Sequence, residues 1–246
     1  MARPLCKVKR QAIIDAALEL FAEQGLSAPT SKIAKLAQVS EGTIFTYFKN
    51  KDDLIVQVYL SIKEDIHKVI KRPRNCKEVL SLFKSNWLNY TDWLIKNPQK
   101  HYLLGRIFLS KKICETAEEQ FQTTQQDLMC HFIEIAKENG PLHNAPLDLV
   151  QGLMPNIANA LLAHVMSHEI TNKSEIHKLS TMHFNALWLA ISGEAYEQSL
   201  SKNDEFAAKL EKYIDCSKLE AEQPEQAEQA DEQAQQPVAS KKKKAK

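Results

Sequence analysis

The residues best suited to chemistry lie close together between Val39 and Leu54, in the stretch VSEGTIFTYFKNKDDL. This stretch combines hydroxyl side chains, a glycine, three aromatic rings and two lysines. Hydroxyl and ammonium groups bind phosphate oxygens, and small polar side chains reach the edges of DNA bases. The residue types are therefore those of a surface that contacts a nucleic acid.

Helical spacing separates the apolar and polar side chains of this stretch. At about 100° per residue, Ile44 and Phe48 share one face of a helix, and Gly42 and Thr46 lie opposite them. The polar face is flanked by one threonine and two aromatic residues, Thr43, Tyr47 and Phe45. An aromatic core stripe in an ordinary bundle is the alternative, but it gives the flanking rings and the outward glycine no role.

Each polar position has a possible contact with DNA. Gly42 allows the backbone to approach base edges, and Thr43 and Thr46 offer hydroxyls to them. The Tyr47 phenol can reach a phosphate. Lys51 begins the next predicted helix, where its ammonium and the free backbone N–H groups attract a second phosphate.

A short helix precedes this one along the chain. A proline, a threonine and a serine at 29–31 supply a break and an N-cap, and Ile33 and Ala34 follow them. The turn at 38–40 then leads into the third helix, with Ser40 as its N-cap. Two short helices joined in this way are typical of a helix-turn-helix, whose second helix enters the DNA major groove.

The remaining spacing predicts an all-α chain. A first helix ends at Gln24 before Gly25, and a fourth runs from Lys51 to Arg72 before Pro73. Further helices are predicted over 76–96, 98–110, 112–138, 146–170, 174–199 and 203–215. The last segment, 217–246, is rich in Glu, Gln, Ala and Lys, and we predict that it is disordered.

Composition limits the partners and the compartment. No apolar run reaches the roughly 18 to 20 residues that span a bilayer, and we expect a cytoplasmic protein with no membrane partner. The formal net charge is only +1, but residues 1–72 carry 12 Lys and Arg against 8 Asp and Glu, which suits a polyanion. Five widely spaced cysteines without a CxxC pair indicate buried or idle thiols.

Three segments in fixed register carry a family resemblance: LFAEQG ends the first helix, IAKLAQVS spans the second helix and turn, and EGTIFTYFKNKDDL opens the third and fourth. Over about the first 60 residues, the chain resembles the TetR-type transcriptional regulators. The resemblance implies an all-α homodimer, with a three-helix head that binds a palindromic operator in double-stranded DNA. It also implies a small-molecule effector and no cofactor.

The same resemblance assigns contacts by position. Thr43 and Thr46 become candidates for base edges, and the phosphate candidates are Thr30, Ser40, Tyr47 and Lys51. Two positions depart from the family pattern. Gln38 stands where a glycine is usual, and a left-handed backbone there costs about 1 kcal/mol or more. Phe45 stands where the family often has tyrosine, so one possible hydroxyl contact with DNA is missing.

Aromatic residues concentrate in the helices predicted between 76 and 138. They could wall an apolar cavity for an effector, or they could form an ordinary aromatic core. The pocket candidates are Phe83, Trp87, Tyr90, Phe108 and Phe121.

The predicted helices 146–170 and 174–199 form an antiparallel pair rich in small and apolar residues. Two such pairs, one from each protomer, would make a four-helix interface. The interface candidates are Leu153, Ile157, Leu161, Met182, Ala186 and Leu189. Pro155 should kink the first helix, unless it lies at a break.

Enzymatic and metal chemistry have little support. His164 and His168 have the spacing of metal ligands, but nearby carboxylates and thiolates are few, so we assign them to helix packing or to the interface and expect no metal. No phosphate loop, nucleophile elbow or HExxH motif is present, and we expect no catalytic residues. A rival keeps the DNA-binding head without a ligand: a DNA-bound adaptor whose C-terminal domain docks a protein partner.

We therefore divide the chain into four parts: a helix-turn-helix domain (1–50), a connecting helix (51–72), an effector-binding and dimerisation domain (73–216) and a disordered tail (217–246). The connecting helix begins at a predicted phosphate contact and ends against the larger domain. An effector that moves it should change the distance between the recognition helices of a dimer and so lower the affinity for DNA, which makes a ligand-responsive repressor the expected function.

Overall fold

The computed structural model describes residues 6–110, 113, 116 and 124–215, and within them it contains eleven helices and no strand. The helices are α1 (Lys7–Gln24), α2 (Thr30–Leu36), α3 (Glu41–Tyr47), α4 (Lys51–Val69), α5 (Cys76–Lys96), α6 (Pro98–Phe108), α7 (Thr124–Lys137), α8 (Leu147–Ser167), α9 (Lys173–Ser192), α10 (Tyr196–Ser201) and α11 (Asn203–Leu210). The all-α prediction is confirmed. The tail predicted over 217–246 lies outside the described residues.

The first three helices form a head around one apolar core. Helix α1 packs against α2 and α4, and α2 packs against α3. The buried residues of this core include Ile13, Ala17, Phe21, Ile33, Ala34, Ile44 and Phe48. Because α2 and α3 have only seven residues each, their stability depends on this burial rather than on their own hydrogen bonds.

The turn between α2 and α3 has the left-handed geometry expected from the sequence. Gln38 has a φ of 56°, in the region that favours glycine. Val39 N–H donates to the Ala34 carbonyl at 2.9 Å, which returns the chain to α2 before α3 begins. Ser40 then caps α3 and accepts from Thr43 N–H.

Helix α4 begins and ends at asparagine contacts. Asn50 is its N-cap and accepts from Asp53 N–H at 2.9 Å. The helix ends at Val69, earlier than the predicted Arg72, because Ile70 is already extended. The Asn86 side chain of α5 accepts from Lys71 N–H at 2.8 Å and donates to its carbonyl at 2.9 Å, so both backbone groups of Lys71 are satisfied outside a helix.

Helix α5 lies at the centre of the larger domain and packs against α4, α6, α8, α9 and α11. Buried polar groups fix its neighbours. Trp87 Nε1 donates to the Ser180 carbonyl of α9 at 2.9 Å, and the Tyr196 hydroxyl of α10 donates to the Leu80 carbonyl at 2.7 Å. The helix is thus held in place by specific bonds as well as by apolar contacts.

Two of the predicted boundaries in this domain are wrong or incomplete. The helix predicted over 174–199 stops at Ser192, because Gly193 adopts a left-handed conformation (φ 75°) and caps α9. A separate helix, α10, follows it. Only the part of the helix predicted over 112–138 that begins at Thr124 belongs to the described helix α7.

Helix α8 continues through Pro155 over 21 residues. Among the described residues it is the one helix long and apolar enough to cross a membrane, with a mean hydropathy of 1.2 in its most apolar window, although the sequence analysis found no such run. Only 28% of that window is buried within the protomer. The helix therefore presents apolar surface outward.

One cysteine departs from the expectation of idle thiols. Cys76, the first residue of α5, is buried and disulfide-bonded, whereas Cys6 and Cys130 are not in a disulfide. The wide sequence spacing of the cysteines carries no information on which of them approach each other in the fold.

We predict that Gln38→Gly raises the free energy of unfolding by up to about 1 kcal/mol, because glycine removes the cost of a Cβ in the left-handed region. Urea denaturation of the full chain measures this change. The control Lys35→Gly, at an exposed position in α2, should lower the free energy of unfolding by about 0.5 to 1 kcal/mol. Similar losses in both variants would show that Gln38 carries no such strain.

Candidate nucleic-acid interface

Helix α3 is fixed in the orientation that the helical wheel predicts. Ile44 and Phe48 are 0% and 2% exposed on the face toward the head core, and Gly42 and Thr46 are exposed on the other. Phe45 is 47% exposed, although an aromatic ring is usually buried. The outward face of α3 is therefore a free surface made of small polar residues and one ring.

The hydroxyl groups on this face have partners within the head. The Ser40 and Thr43 hydroxyls lie 2.7 Å apart, and Thr43 N–H donates to Ser40 Oγ at 3.3 Å. The Thr46 hydroxyl donates to the Gly42 carbonyl at 3.2 Å. Donation by the Thr46 hydroxyl to a base or phosphate therefore requires it to leave an exposed and weak bond, whereas one hydroxyl of the Ser40–Thr43 pair keeps its proton for a further acceptor.

Two further contacts connect α3 to its surroundings. The Thr30 hydroxyl of α2 donates to Glu41 Oε1 at 2.5 Å, so this predicted phosphate donor already has an acceptor. The Tyr47 hydroxyl accepts from Cys6 N–H at 3.2 Å, which places Cys6, immediately before α1, next to α3. The sequence analysis overlooked Glu41, although a carboxylate at the first position of the recognition helix is itself unusual on a DNA-facing surface.

The start of α4 differs from its expected form. Asp53 N–H, in the first turn of α4, donates to Asn50 Oδ1 at 2.9 Å, so one backbone N–H group expected to attract a phosphate is already paired, and Lys49 N–H, before the cap, donates to Asp53 Oδ2 at 2.8 Å. The Lys51 ammonium lies 5.9 Å above the centre of the Phe21 ring. The positive charge at this end of α4 therefore comes from the Lys51 side chain more than from free backbone groups.

Helix α6 connects the larger domain to the head. Lys100 Nζ of α6 lies 2.5 Å from Asp65 Oδ2 of α4, and Arg106 Nη1 donates to the Ala22 carbonyl near the end of α1 at 3.5 Å. Burial raises the pKa of Asp65, but hydrogen bonds from Lys100 and Lys68 outweigh it and hold the pKa below its usual value. The Lys100–Asp65 contact is thus an ion pair across the junction.

The same helix also bonds to the interior of the larger domain. His101 is 4% exposed, with Nδ1 3.0 Å from the Tyr90 hydroxyl of α5 and Nε2 2.7 Å from Asn159 Oδ1 of α8. Burial lowers the pKa of His101, and the bond to Asn159 opposes this only in part. A neutral ring fits both bonds, because Nε2–H donates to Asn159 and Nδ1 accepts from Tyr90.

The pocket candidates occupy different environments. Phe83 and Trp87 are buried, and the Phe83 ring centre lies 4.8 Å from that of Phe132 and 5.7 Å from that of Trp188. Tyr90 is half-buried and bonded to His101, and Phe108 is 62% exposed on α6. Phe121 lies outside the described residues. Phe83 therefore belongs to an aromatic cluster with Phe132 and Trp188, Trp87 is buried, and Phe108 is exposed.

The interface candidates also separate by exposure. Met182 and Leu189 of α9 are 56% and 53% exposed, and Ala186 is exposed between them. Leu153 and Ile157 of α8 are half-buried against the protomer core. Leu161 is fully buried within the protomer, so it supports α8 from beneath and cannot contact a partner. Two further apolar residues of α8, Leu149 and Met166, are 60% and 52% exposed.

The paired histidines of α8 lie close together without forming a metal cluster. The ring centres of His164 and His168 are 4.3 Å apart, and His168 Nδ1 lies 3.0 Å from the His164 carbonyl. Within the described part of the chain, no group of three or more His, Cys, Asp or Glu side chains could hold a metal ion.

Comparison with known proteins agrees with this geometry. Residues 13–58, which include α2, α3 and the start of α4, match the model of the bacterial regulatory proteins, tetR family. The fatty acid metabolism regulator protein of Bacillus subtilis (strain 168) is 42% identical over 79 residues, which cover 30% of this chain and 41% of that protein. The chain thus matches less than half the length of this curated relative.

Solved structures share the fold over a longer part of the chain. A tetR family transcription regulator from Shewanella sp. PV-4 aligns with a TM-score of 0.59 at 23% identity, and covers 75% of this chain and 98% of that one. The regulator FadR from Bacillus subtilis in complex with stearoyl-CoA aligns with a TM-score of 0.50 at 22% identity, over 75% and 99% of the two chains. Residues 13–58 of this chain are thus similar to the helix-turn-helix of the bacterial regulatory proteins of the tetR family, and the larger part of the chain shares its fold with solved tetR family regulators.

Proposed function

We propose that the protein is a homodimeric transcriptional repressor that binds a palindromic operator in double-stranded DNA and loses affinity for it when a small apolar effector binds the larger domain. The orientation of α3 carries the proposal. Burial of Ile44 and Phe48 leaves Gly42, Thr46 and the Phe45 ring outward, which is the arrangement a recognition helix needs. The base and phosphate contacts assigned to this face are part of the proposal.

A dimer is supported by the apolar surface of α8 and α9. Four large hydrophobic side chains on these helices are at least half exposed in one protomer, namely Leu149, Met166, Met182 and Leu189. A second copy can cover these side chains with its own α8 and α9 by two-fold symmetry. A two-fold axis would also present two copies of α3 to one DNA duplex.

Two similar proteins support the choice of an apolar effector. A regulator of the same fold was solved with stearoyl-CoA, which has a long apolar chain, and a fatty acid metabolism regulator is among the relatives in sequence. In this structure the rings of Phe83, Phe132 and Trp188 fill the centre of the larger domain. An effector that contacts Phe83 therefore has to displace aromatic rings.

This packed cluster favours one alternative, the DNA-bound adaptor without a ligand. In that case, the larger domain would keep its closed core and offer its surface to a protein partner. Titration with a series of acyl-CoA thioesters separates the two functions, because an adaptor gives no saturable binding. The contacts of α6 with α1 and α4 matter mainly for the ligand-responsive regulator, because only that function requires the larger domain to act on the head.

The contacts with DNA can be tested in matched lysine variants. Lys51 and Lys63 both lie on α4 with their ammonium groups over aromatic rings, Phe21 and Tyr59, about 18 Å apart along the helix axis. We expect Lys51→Ala to weaken binding to all duplexes alike and to reduce the slope of log affinity against log salt by about 1, as for one lost phosphate contact. Lys63→Ala should leave that slope unchanged.

A base contact should behave differently in the same assay. Thr46→Ala should change the ratio of affinities between operator variants, and Tyr47→Phe should scale them together. Fluorescence anisotropy with a small library of labelled duplexes measures both effects. If Thr46→Ala only scaled every affinity by one factor, its assignment to base edges would be wrong.

The dimer can be tested on α9. A charge at Met182 or Leu189 would have to be buried at the proposed interface, so we expect Met182→Glu and Leu189→Glu to shift sedimentation velocity profiles from dimer to monomer. Leu200→Glu is the control, because Leu200 is exposed on α10 and lies outside α8 and α9. Unchanged dimers in both α9 variants would place the interface elsewhere.

The coupling can be tested with stearoyl-CoA as the probe. A coupling free energy of about 1 to 3 kcal/mol weakens DNA binding by about 5- to 150-fold, and by reciprocity DNA weakens ligand binding by the same factor. Lys100→Met removes the ion pair with Asp65 across the junction and should reduce this factor. Lys96→Met is the control, because Lys96 pairs with Asp92 within α5. Equal coupling in both variants would exclude the α6 junction as the route.

A further inference from the structure

Glu41 is the residue of the recognition helix whose role the proposed contacts do not explain. It is exposed, it is the first residue of α3, and its Oε1 accepts a hydrogen bond from the Thr30 hydroxyl of α2 at 2.5 Å. The Ser40, Thr43 and Thr46 hydroxyls bond within α3 and its cap, whereas this bond joins two helices of the head. The carboxylate is therefore held in a position that the packing of α2 on α3 determines.

The charge of Glu41 limits what it can contact on DNA. A carboxylate repels phosphates, and it only accepts hydrogen bonds. In the major groove, the hydrogen-bond donors are the N4 amino group of cytosine and the N6 amino group of adenine. Adenine places its N7 acceptor beside N6, where it repels the second carboxylate oxygen, so cytosine is the base that a glutamate suits best.

The position of Glu41 in the helix is consistent with a base contact. In a helix-turn-helix, the N-terminal residues of the recognition helix are the ones that reach base edges. Glu41 occupies that end, next to the exposed Gly42, where no side chain keeps the backbone away from the groove. A carboxylate near a helix N-terminus also interacts favourably with the helix dipole, but this effect needs no bond from Thr30.

We propose that Glu41 is a specificity-determining residue that accepts a hydrogen bond from the N4 amino group of a cytosine in each half-site, and that Thr30 positions its carboxylate. The proposal rests on the proposed function as a DNA-binding protein. It also changes the assignment of Thr30, whose hydroxyl has one proton. While that proton is donated to Glu41, it cannot be donated to a phosphate.

Selection of bound sequences from a randomised duplex library tests the proposal with the full chain and the variants Glu41→Gln, Thr30→Val and Thr30→Ser. The wild type should select cytosine at one position of each half-site, by about 5- to 150-fold over other bases. Glu41→Gln should shift the preference at that position to adenine, because an amide can bond both N6 and N7. Thr30→Val should reduce the preference for cytosine, and Thr30→Ser should retain it.

The readout separates this proposal from the function on which it rests. If the wild type bound no duplex at any salt concentration, both would be overturned. If the wild type bound specifically and Glu41→Gln selected the same sequences with every affinity scaled equally, only the role of Glu41 would be overturned. Thermal unfolding of each variant establishes that the head is folded, so that a lost preference reports on the contact itself.

Discussion

The burial of Ile44 and Phe48 is the interaction on which the proposed function depends. Helix α3 has seven residues, too few to be stable alone, so it exists because these two side chains pack on α1 and α2. The same burial fixes the rotation of α3 and thus which residues face outward. The left-handed turn at Gln38 and the Ser40 cap set the angle at which the helix leaves the head, at a cost that the core contacts offset.

Helix α6 gives the larger domain a direct connection to that head. Lys100 contacts α4 and Arg106 contacts the end of α1, while His101 on the same helix bonds to α5 and α8. Under the proposed function, a displacement of α5 or α8 would be transmitted through α6 to α1 and α4, and α1 packs against α2. The sequence analysis assigned the connection between the two domains to α4 alone. A continuous helix can be predicted from a sequence, whereas the contacts of three side chains on α6 cannot.

Sequence patterns predicted the helices, the face that α3 buries and the left-handed turn, because each follows from residue types at fixed local spacing. They did not predict that α9 ends before Gly193, because apolar residues continue at helical spacing on both sides of this glycine and conceal the break. Leu161 shares the period of the half-buried Leu153 and Ile157 on α8, and only the packed structure shows which side of an apolar helix faces its own core. The bond between Thr30 and Glu41 depends on how two helices pack, and local spacing does not contain that information.

The measurement that tests the account most directly is a footprint of the full-length protein on the genomic fragments it selects, together with the number of protomers bound to each. The account predicts two protomers on a site with two-fold symmetry, whose half-site centres lie about 10 base pairs, or roughly 34 to 36 Å, apart. Addition of stearoyl-CoA or a related thioester should release the site. A single unpaired half-site bound by a monomer, or binding without any sequence preference, would contradict it.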